Sequence, residues 1–166
     1  TGKTAAFALP ILERIDPKSK AVQALILTPT RELALQVSQS IQGFKATPSI
    51  HVLPIYGGQS IERQISQLRR GAQIVVGTPG RVLDLLSRGV LVLDQLFCFV
   101  LDEADEMLNM GFIPDVRQIL TRVPETRQTA FFSATMPPEI YKLTKQFLKS
   151  PTTISIKQTQ AAPTRI

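Results

Sequence analysis

The sequence Phe-Val-Leu-Asp-Glu-Ala-Asp at residues 99–105 decides the fold class of this 166-residue chain. An apolar run leads directly into two adjacent carboxylates, Asp102 and Glu103, and Asp105 follows two positions later. Carboxylates at the end of a buried strand are costly unless they face a ligand, a metal or water in a cleft. In a doubly wound sheet, that cleft lies at the carboxyl ends of the parallel strands. The stretch therefore predicts a parallel strand with a polar site at its end.

The first four residues, Thr1, Gly2, Lys3 and Thr4, match the last part of the G-x-x-x-x-G-K-[ST] phosphate loop. In this pattern the backbone amides at a helix N-terminus point at phosphate, the lysine neutralises the β- and γ-phosphates, and the threonine hydroxyl binds Mg²⁺. A short Gly-Lys-Thr sequence is common by chance. Together with the acid pair near residue 102, it favours a Mg-nucleotide site.

Apolar β-rich runs alternate with amphipathic stretches along the whole chain, which is typical of a parallel α/β sheet. We therefore expect one α/β domain over residues 1–157, a mainly parallel sheet with helices on both faces, and the start of an interdomain linker over 158–166. The patterns predict strands near 24–27, 50–56, 73–76, 97–101, 129–132 and 152–156. They predict helices near 4–15, 31–44, 61–68, 79–86, 116–120 and 138–148.

The amino-acid composition indicates which kind of binding partner and which cellular compartment to expect. A formal charge of +6 and a pI near 9.8 fit a polyanionic partner. No apolar run is long enough to predict a membrane span. Cys98 is the only cysteine and lies in an apolar run, so we expect a buried thiol and a reducing cytoplasm. His51 is the only histidine and has no metal-ligand spacing around it.

Distinctive motifs follow the other predicted strands. They are Pro-Thr-Arg-Glu-Leu-Ala at 29–34, Gly-Gly at 57–58, Thr-Pro-Gly-Arg at 78–81 and Ser-Ala-Thr at 133–135. With the phosphate-loop and acid motifs they make six motifs in one order along the chain. In this, the whole chain resembles the first RecA-like domain of a DEAD-box RNA helicase, of the initiation-factor 4A-like or bacterial general type.

The resemblance implies a RecA-like P-loop NTPase fold and an ATP-dependent RNA helicase that uses ATP and Mg²⁺. It implies that Asp102 holds Mg²⁺, that Lys3 neutralises the β- and γ-phosphates, and that Glu103 aligns and deprotonates the attacking water. Asp105, Ser133 and Thr135 would form a hydrogen-bond network that couples the nucleotide to RNA. A second RecA-like domain would supply arginine fingers, so we expect the present chain alone to be nearly inactive.

The remaining motifs offer hydrogen-bond donors and positive charge but no acid suited to chemistry. Such donors read the nucleic-acid backbone rather than the bases, which predicts sequence-independent binding of single-stranded or duplex RNA. For residues 29–32 the alternative is a simple helix start with a capping role. The predicted RNA-binding residues are Pro29, Thr30, Arg31, Gly57, Gly58, Thr78, Gly80 and Arg81.

The sequence is also compatible with two other classes of function. One is another P-loop class, a GTPase or a DNA translocase, although the chain has no Asn-Lys-x-Asp sequence for guanine, and Ala104 precedes Asp105 where related families often place histidine. The other is a non-catalytic RNA-binding or scaffold module with a decayed site. The intact Lys3, Thr4, Asp102 and Glu103 argue against decay.

Overall fold

A computed structural model describes residues 2–156 of the chain. Within them, five strands run parallel in one sheet, in the order β2-β3-β1-β4-β5. The strands are β1 (Ala24–Leu27), β2 (Val52–Ile55), β3 (Ile74–Gly77), β4 (Cys98–Leu101) and β5 (Gln128–Phe131). The helices are α1 (Gly2–Arg14), α2 (Arg31–Phe44), α3 (Ile61–Arg70), α4 (Pro79–Ser87), α5 (Ala104–Asn109), α6 (Ile113–Leu120) and α7 (Pro138–Phe147).

The three central strands, β1, β3 and β4, are buried at every position. Uninterrupted apolar runs of this kind are typical of parallel strands that are covered on both faces. The two outer strands differ, because β5 is partly exposed and β2 contains Pro54. Proline lacks the N–H that a central strand needs, so its place in β2 fits an edge position.

Helices cover both faces of the sheet, because strand side chains alternate between them. Ile26, Val76 and Val100 pack in one core cluster with residues of α1 and α2. Leu25 and Phe99 point the other way, into a second cluster formed with residues of α4, α5, α6 and α7. None of the helices described within residues 2–156 has the length and apolarity needed to cross a bilayer.

The predicted α/β class with helices on both faces is confirmed, and the described sheet is entirely parallel. Helix α5 was not predicted. The strand expected at 152–156 is wrong, because these residues form no strand, and Ile154 and Ile156 are 84% and 90% exposed. Alternating β-branched residues favour a pleated surface only when a neighbouring strand pairs with them, and none does here. Thr1 and the predicted linker at 158–166 lie outside the described residues.

The register of the sheet determines where the motifs meet. Leu27 at the end of β1 is level with Gly77 of β3 and Leu101 of β4. At the two margins, Ile55 of β2 is level with Gly77, and Phe131 of β5 is level with Leu101. All five strands therefore end at the same level, and their carboxyl ends together form one margin of the sheet, here called the C-terminal edge. The five motifs that follow them are consequently displayed side by side along that edge.

Candidate functional site

The start of α1 lies against the end of β4. Lys3 Nζ is 2.6 Å from Asp102 Oδ1, and the two side chains are 39% and 3% exposed. The contact is an ion pair without the geometry of a directed hydrogen bond, so Asp102 Oδ1 accepts no hydrogen bond from the described residues. Thr4, one residue after Lys3, is also buried. The Asp102 carboxylate and the Thr4 hydroxyl both offer buried oxygen atoms, the type of ligand that Mg²⁺ prefers.

Glu103 follows Asp102 in a backbone conformation that is rare for a side chain other than glycine. Its φ of 51° and ψ of 55° are left-handed, and it occupies the N-cap of α5. A conformation of this kind costs about 1–3 kcal/mol and is found preferentially at functional sites. Partial burial, followed by the neighbouring charge of Asp102, raises the pKa of the Glu103 carboxyl. The side chain is therefore better suited to take up a proton than an ordinary surface glutamate.

Asp105, Ser133 and Thr135 form the hydrogen-bond network that the sequence predicted. Asp105 Oδ2 accepts bonds from the Thr135 amide at 3.1 Å and the Thr135 hydroxyl at 3.0 Å. The Asp105 amide donates to Ser133 Oγ at 3.1 Å, and that hydroxyl donates to the Thr135 carbonyl oxygen. Partial burial alone would raise the pKa of Asp105, but the bonds from Thr135 and the Glu106 amide hold it below its ordinary value. The network ties the start of α5 to the segment after β5.

The segment after β1 forms the start of α2. Thr30 is the N-cap of this helix, and its Oγ1 accepts a bond from the Leu33 amide at 3.2 Å. Its side chain thus has the capping role that was the alternative to RNA contact. Arg31 extends from the same turn, with its guanidinium carbon 4.9 Å from the centre of the Tyr56 ring. The segments after β1 and β2 are therefore in contact.

The start of α4 is seated closely on the sheet. Thr78 is its N-cap, makes no side-chain capping bond, and donates its amide to the Ile55 carbonyl at 2.9 Å. A Cβ at Gly77 would lie 2.4 Å from Val82 Cγ2, so only glycine permits this approach of helix and strand. Gly80, by contrast, is exposed, and a Cβ there would meet no atom of a neighbouring segment within 4 Å.

Arg81, in the first turn of α4, is held by neighbouring groups rather than extending freely. Its Nη1 donates to the Gln59 carbonyl at 3.1 Å and to Gln64 Oε1 at 2.9 Å. The segment at 57–58 directly precedes Gln59; a Cβ at either of its glycines would meet nothing within 4 Å, and Gly58 has a φ of 79°. Sequence reasoning missed Gln64, since a glutamine in a polar helix gives no signal of burial. It also passed over Gly77, whose position at a strand end was a usable signal of close approach.

The sheet order separates the predicted site residues into two groups. The residues after β4 and β5 lie toward one end of this C-terminal edge, and Lys3 lies next to them through its contact with Asp102. The segments after β1, β3 and β2 follow in that spatial order toward the other side. All the predicted site residues except Thr1, which is not described, thus lie along this one edge.

Comparison with known proteins agrees with this arrangement. A family model described as DEAD/DEAH box helicase matches residues 1–143. RNA helicase CrhR of Synechocystis sp. is 61% identical over 166 residues, which are all of this chain and 34% of that protein. ATP-dependent RNA helicase DeaD of Escherichia coli is 54% identical over 158 residues, or 95% of this chain and 25% of that protein.

Solved structures give the same result. A crystal structure of a DEAD box protein from Methanococcus jannaschii superposes with a TM-score of 0.84 at 50% identity, over 89% of this chain and 40% of that one. The chain thus spans about a third of the length of the relatives it matches. Since the family model covers most of its length, the chain belongs to the DEAD/DEAH box helicase family.

Proposed function

We propose that the chain is the ATP-binding half of an ATP-dependent RNA helicase. It binds Mg-ATP and the backbone of RNA, and it couples ATP hydrolysis to local unwinding when a second RecA-like domain is joined to it. The observation that carries this proposal is the buried Asp102 paired with Lys3 at 2.6 Å, on the same sheet edge as a row of backbone donors. The names of the relatives, RNA helicase and ATP-dependent RNA helicase, support the same function.

The nucleotide group contains Thr1, Gly2, Lys3, Thr4 and Asp102. The amides at the start of α1 and the Lys3 ammonium bind the phosphates, since both carry positive charge at a helix N-terminus. The Thr4 hydroxyl and the Asp102 carboxylate would hold Mg²⁺, whose charge neutralises the β- and γ-phosphates. Thr1 lies outside the described residues, and its place in this group is inferred from its neighbours.

Glu103 is the general base of the proposed reaction. Its left-handed backbone turns the chain sharply between the buried Asp102 and helix α5. Its raised pKa favours acceptance of a proton from the attacking water. Lys3, together with Mg²⁺ held by Asp102, would stabilise the negative charge that develops on the phosphoryl oxygens while Glu103 takes up the proton.

The coupling group contains Asp105, Ser133 and Thr135. Its bonds of about 3 Å connect the helix that follows Glu103 with the segment after β5. We propose that this network transmits the state of the nucleotide to the RNA side. It does so by holding α5 and residues 133–135 in one arrangement.

The RNA group reads phosphates with donors from three neighbouring segments. Glycine allows an anion to approach the backbone closely, and the start of α4 presents free amides to it. Contacts of this kind do not distinguish bases, so the binding is sequence-independent for single-stranded or duplex RNA. The proposed residues are Pro29, Thr30, Arg31, Gly57, Gly58, Thr78, Gly80 and Arg81.

The domain limits and the compartment are also proposals. We assign residues 1–157 to the ATP-binding domain and 158–166 to a linker toward the second RecA-like domain. We place the protein in the cytoplasm, because Cys98 is the only cysteine and no disulfide is possible within the chain.

The experiment that tests the function compares two acid variants in the two-domain protein, with and without RNA. Glu103→Gln keeps the shape but removes the base, so ATP binding should survive while RNA-stimulated hydrolysis falls by about 100-fold or more. Asp102→Asn should weaken binding of Mg-ATP itself. Hydrolysis at the wild-type rate by Glu103→Gln, or a wild-type protein whose ATPase ignores RNA, would contradict the proposal.

A further inference from the structure

Gln64 is a fully buried polar residue that lies outside every motif of the site. It is 0% exposed, although it belongs to the largely polar helix α3. A buried amide is costly unless it is hydrogen-bonded. Gln64 Nε2 donates to the Tyr56 carbonyl at 3.0 Å and to Gln59 Oε1 at 3.1 Å. Its Oε1 accepts the bond from Arg81 Nη1 at 2.9 Å.

The partners fix the orientation of this amide. The Tyr56 carbonyl can only accept, and the guanidinium of Arg81 can only donate, so the oxygen of Gln64 must face Arg81. One side chain therefore joins the residue before Gly57–Gly58, the residue after it, and the first turn of α4. Arg81 also donates a second bond from Nη1 to the Gln59 carbonyl at 3.1 Å, so the start of α4 is bonded directly to the residue after the glycines.

Both glycines are exposed, and a Cβ at either position would meet nothing within 4 Å. The described side-chain hydrogen bonds that connect this segment to Gln64 and Arg81 are made by the residues on either side, Tyr56 and Gln59. Both bonds of Arg81 use Nη1, and its Nε and Nη2 make no hydrogen bond within residues 2–156, so these donors can bind a phosphate. The hydrogen bonds of Gln64 thus fix both the backbone on either side of the glycines and the orientation of the Arg81 guanidinium.

We infer that Gln64 is a positioning residue for RNA binding, which fixes the Gly57–Gly58 segment and Arg81 as one phosphate-binding surface. The inference rests on the proposed RNA-binding function. Gln64 itself is buried and does not touch RNA. Its effect is to make two separate donor groups available at a constant spacing, which lowers the entropy lost when a phosphate backbone binds to both.

The test uses Gln64→Met in the two-domain protein, since methionine keeps the length of the side chain and removes all three hydrogen bonds. We expect affinity for a short single-stranded RNA, measured with a non-hydrolysable ATP analogue, to fall about tenfold, or about 1.4 kcal/mol. The RNA concentration that half-saturates the ATPase should rise by a similar factor. ATP affinity and the turnover at saturating RNA should stay unchanged.

Gln73→Met is the matched control. Gln73 is also buried, accepts a bond from the His51 amide at 2.7 Å and donates to the Ser19 carbonyl at 2.8 Å. It lies just before β3, at the opposite end of the strands from the site. The control should lower the melting temperature as Gln64→Met does, and it should leave RNA affinity at the wild-type value.

Gln64→Glu provides a second variant in case Gln64→Met does not fold. It keeps the acceptor for Arg81 but loses the donors to Tyr56 and Gln59, so we expect RNA affinity to fall about threefold, or about 0.65 kcal/mol. RNA affinity equal to wild type in the folded Gln64 variants, or an equal loss in Gln73→Met, would overturn the inference alone. A wild-type protein that binds no RNA would overturn the proposed function and this inference together.

Discussion

Gly77→Ala tests how closely α4 is seated on the sheet. The new Cβ would lie 2.4 Å from Val82 Cγ2, about 1 Å short of the 3.4 Å at which ordinary contact begins. It would also lie 3.1 Å from the Ile55 carbonyl oxygen, which already accepts the Thr78 amide. Val82 is fully buried, and a β-branched side chain in a helix has essentially one rotamer. The helix must therefore move.

The expected magnitude combines two opposing terms. Overpacking a well-filled core costs about 1–3 kcal/mol. Alanine restricts the unfolded chain and thereby stabilises by about 0.4–1 kcal/mol where the backbone conformation suits it, and Gly77 has no positive φ. We expect a net loss of about 1–2 kcal/mol in the free energy of unfolding. For a domain of this size, that corresponds to a melting temperature lower by about 2–8 °C.

Equilibrium urea unfolding of the variants measures this loss, with Gly43→Ala as the control. Gly43 lies in α2, and its added Cβ would meet nothing within 4 Å, so this variant should gain about 0.5–1 kcal/mol. Val82→Ala removes the clashing methyl group. The double variant Gly77→Ala/Val82→Ala should therefore be at least about 1 kcal/mol more stable than the sum of the single effects predicts. A Gly77→Ala variant as stable as wild type, or strictly additive effects, would refute the close seating.

Three further predictions concern single side chains. Arg81→Ala in the two-domain protein should weaken binding to unrelated RNAs equally and make the log–log salt dependence shallower by about 0.7, and an unchanged slope would show that Arg81 only braces the loop. Because the folded-state pKa of Asp105 is lowered, its contribution to stability is present above the ordinary carboxyl pKa of about 3.9 and disappears as the pH falls through the folded value. The stability difference between wild type and Asp105→Asn should consequently shrink on acidification, and a constant difference in acid unfolding would contradict this. Burial raises the pKa of the Cys98 thiol to about 11, so iodoacetamide at pH 8 should label it only after unfolding, and rapid labelling of the native protein would be the contrary result.

The fold class and the location of the site along the chain could both be inferred from the order of the amino acids alone. The sequence patterns marked all five strands within about two residues. For β1, β3 and β4 the signal was an apolar run, since strands buried on both faces must be apolar throughout. Acids, glycines and hydroxyl residues directly after these runs marked the site, because the carboxyl ends of parallel strands share one edge. The network of Asp105, Ser133 and Thr135 was predictable for the same reason.

The spatial order of the strands, and the contacts that depend on this order, could not be inferred from the sequence and became visible in the folded chain. The placement of β1 between β3 and β4 results from packing between elements distant in sequence. The separation of the residues proposed to bind the nucleotide from those proposed to bind RNA has the same origin. The left-handed backbone at Glu103 and the buried junction at Gln64 also come from such packing. The expected strand at 152–156 failed on the same ground, since a strand requires a neighbour to accept and donate its backbone hydrogen bonds. The local sequence indicates whether a segment prefers a helix or a strand. Which other segments it packs against is determined by the free energy of the whole folded chain.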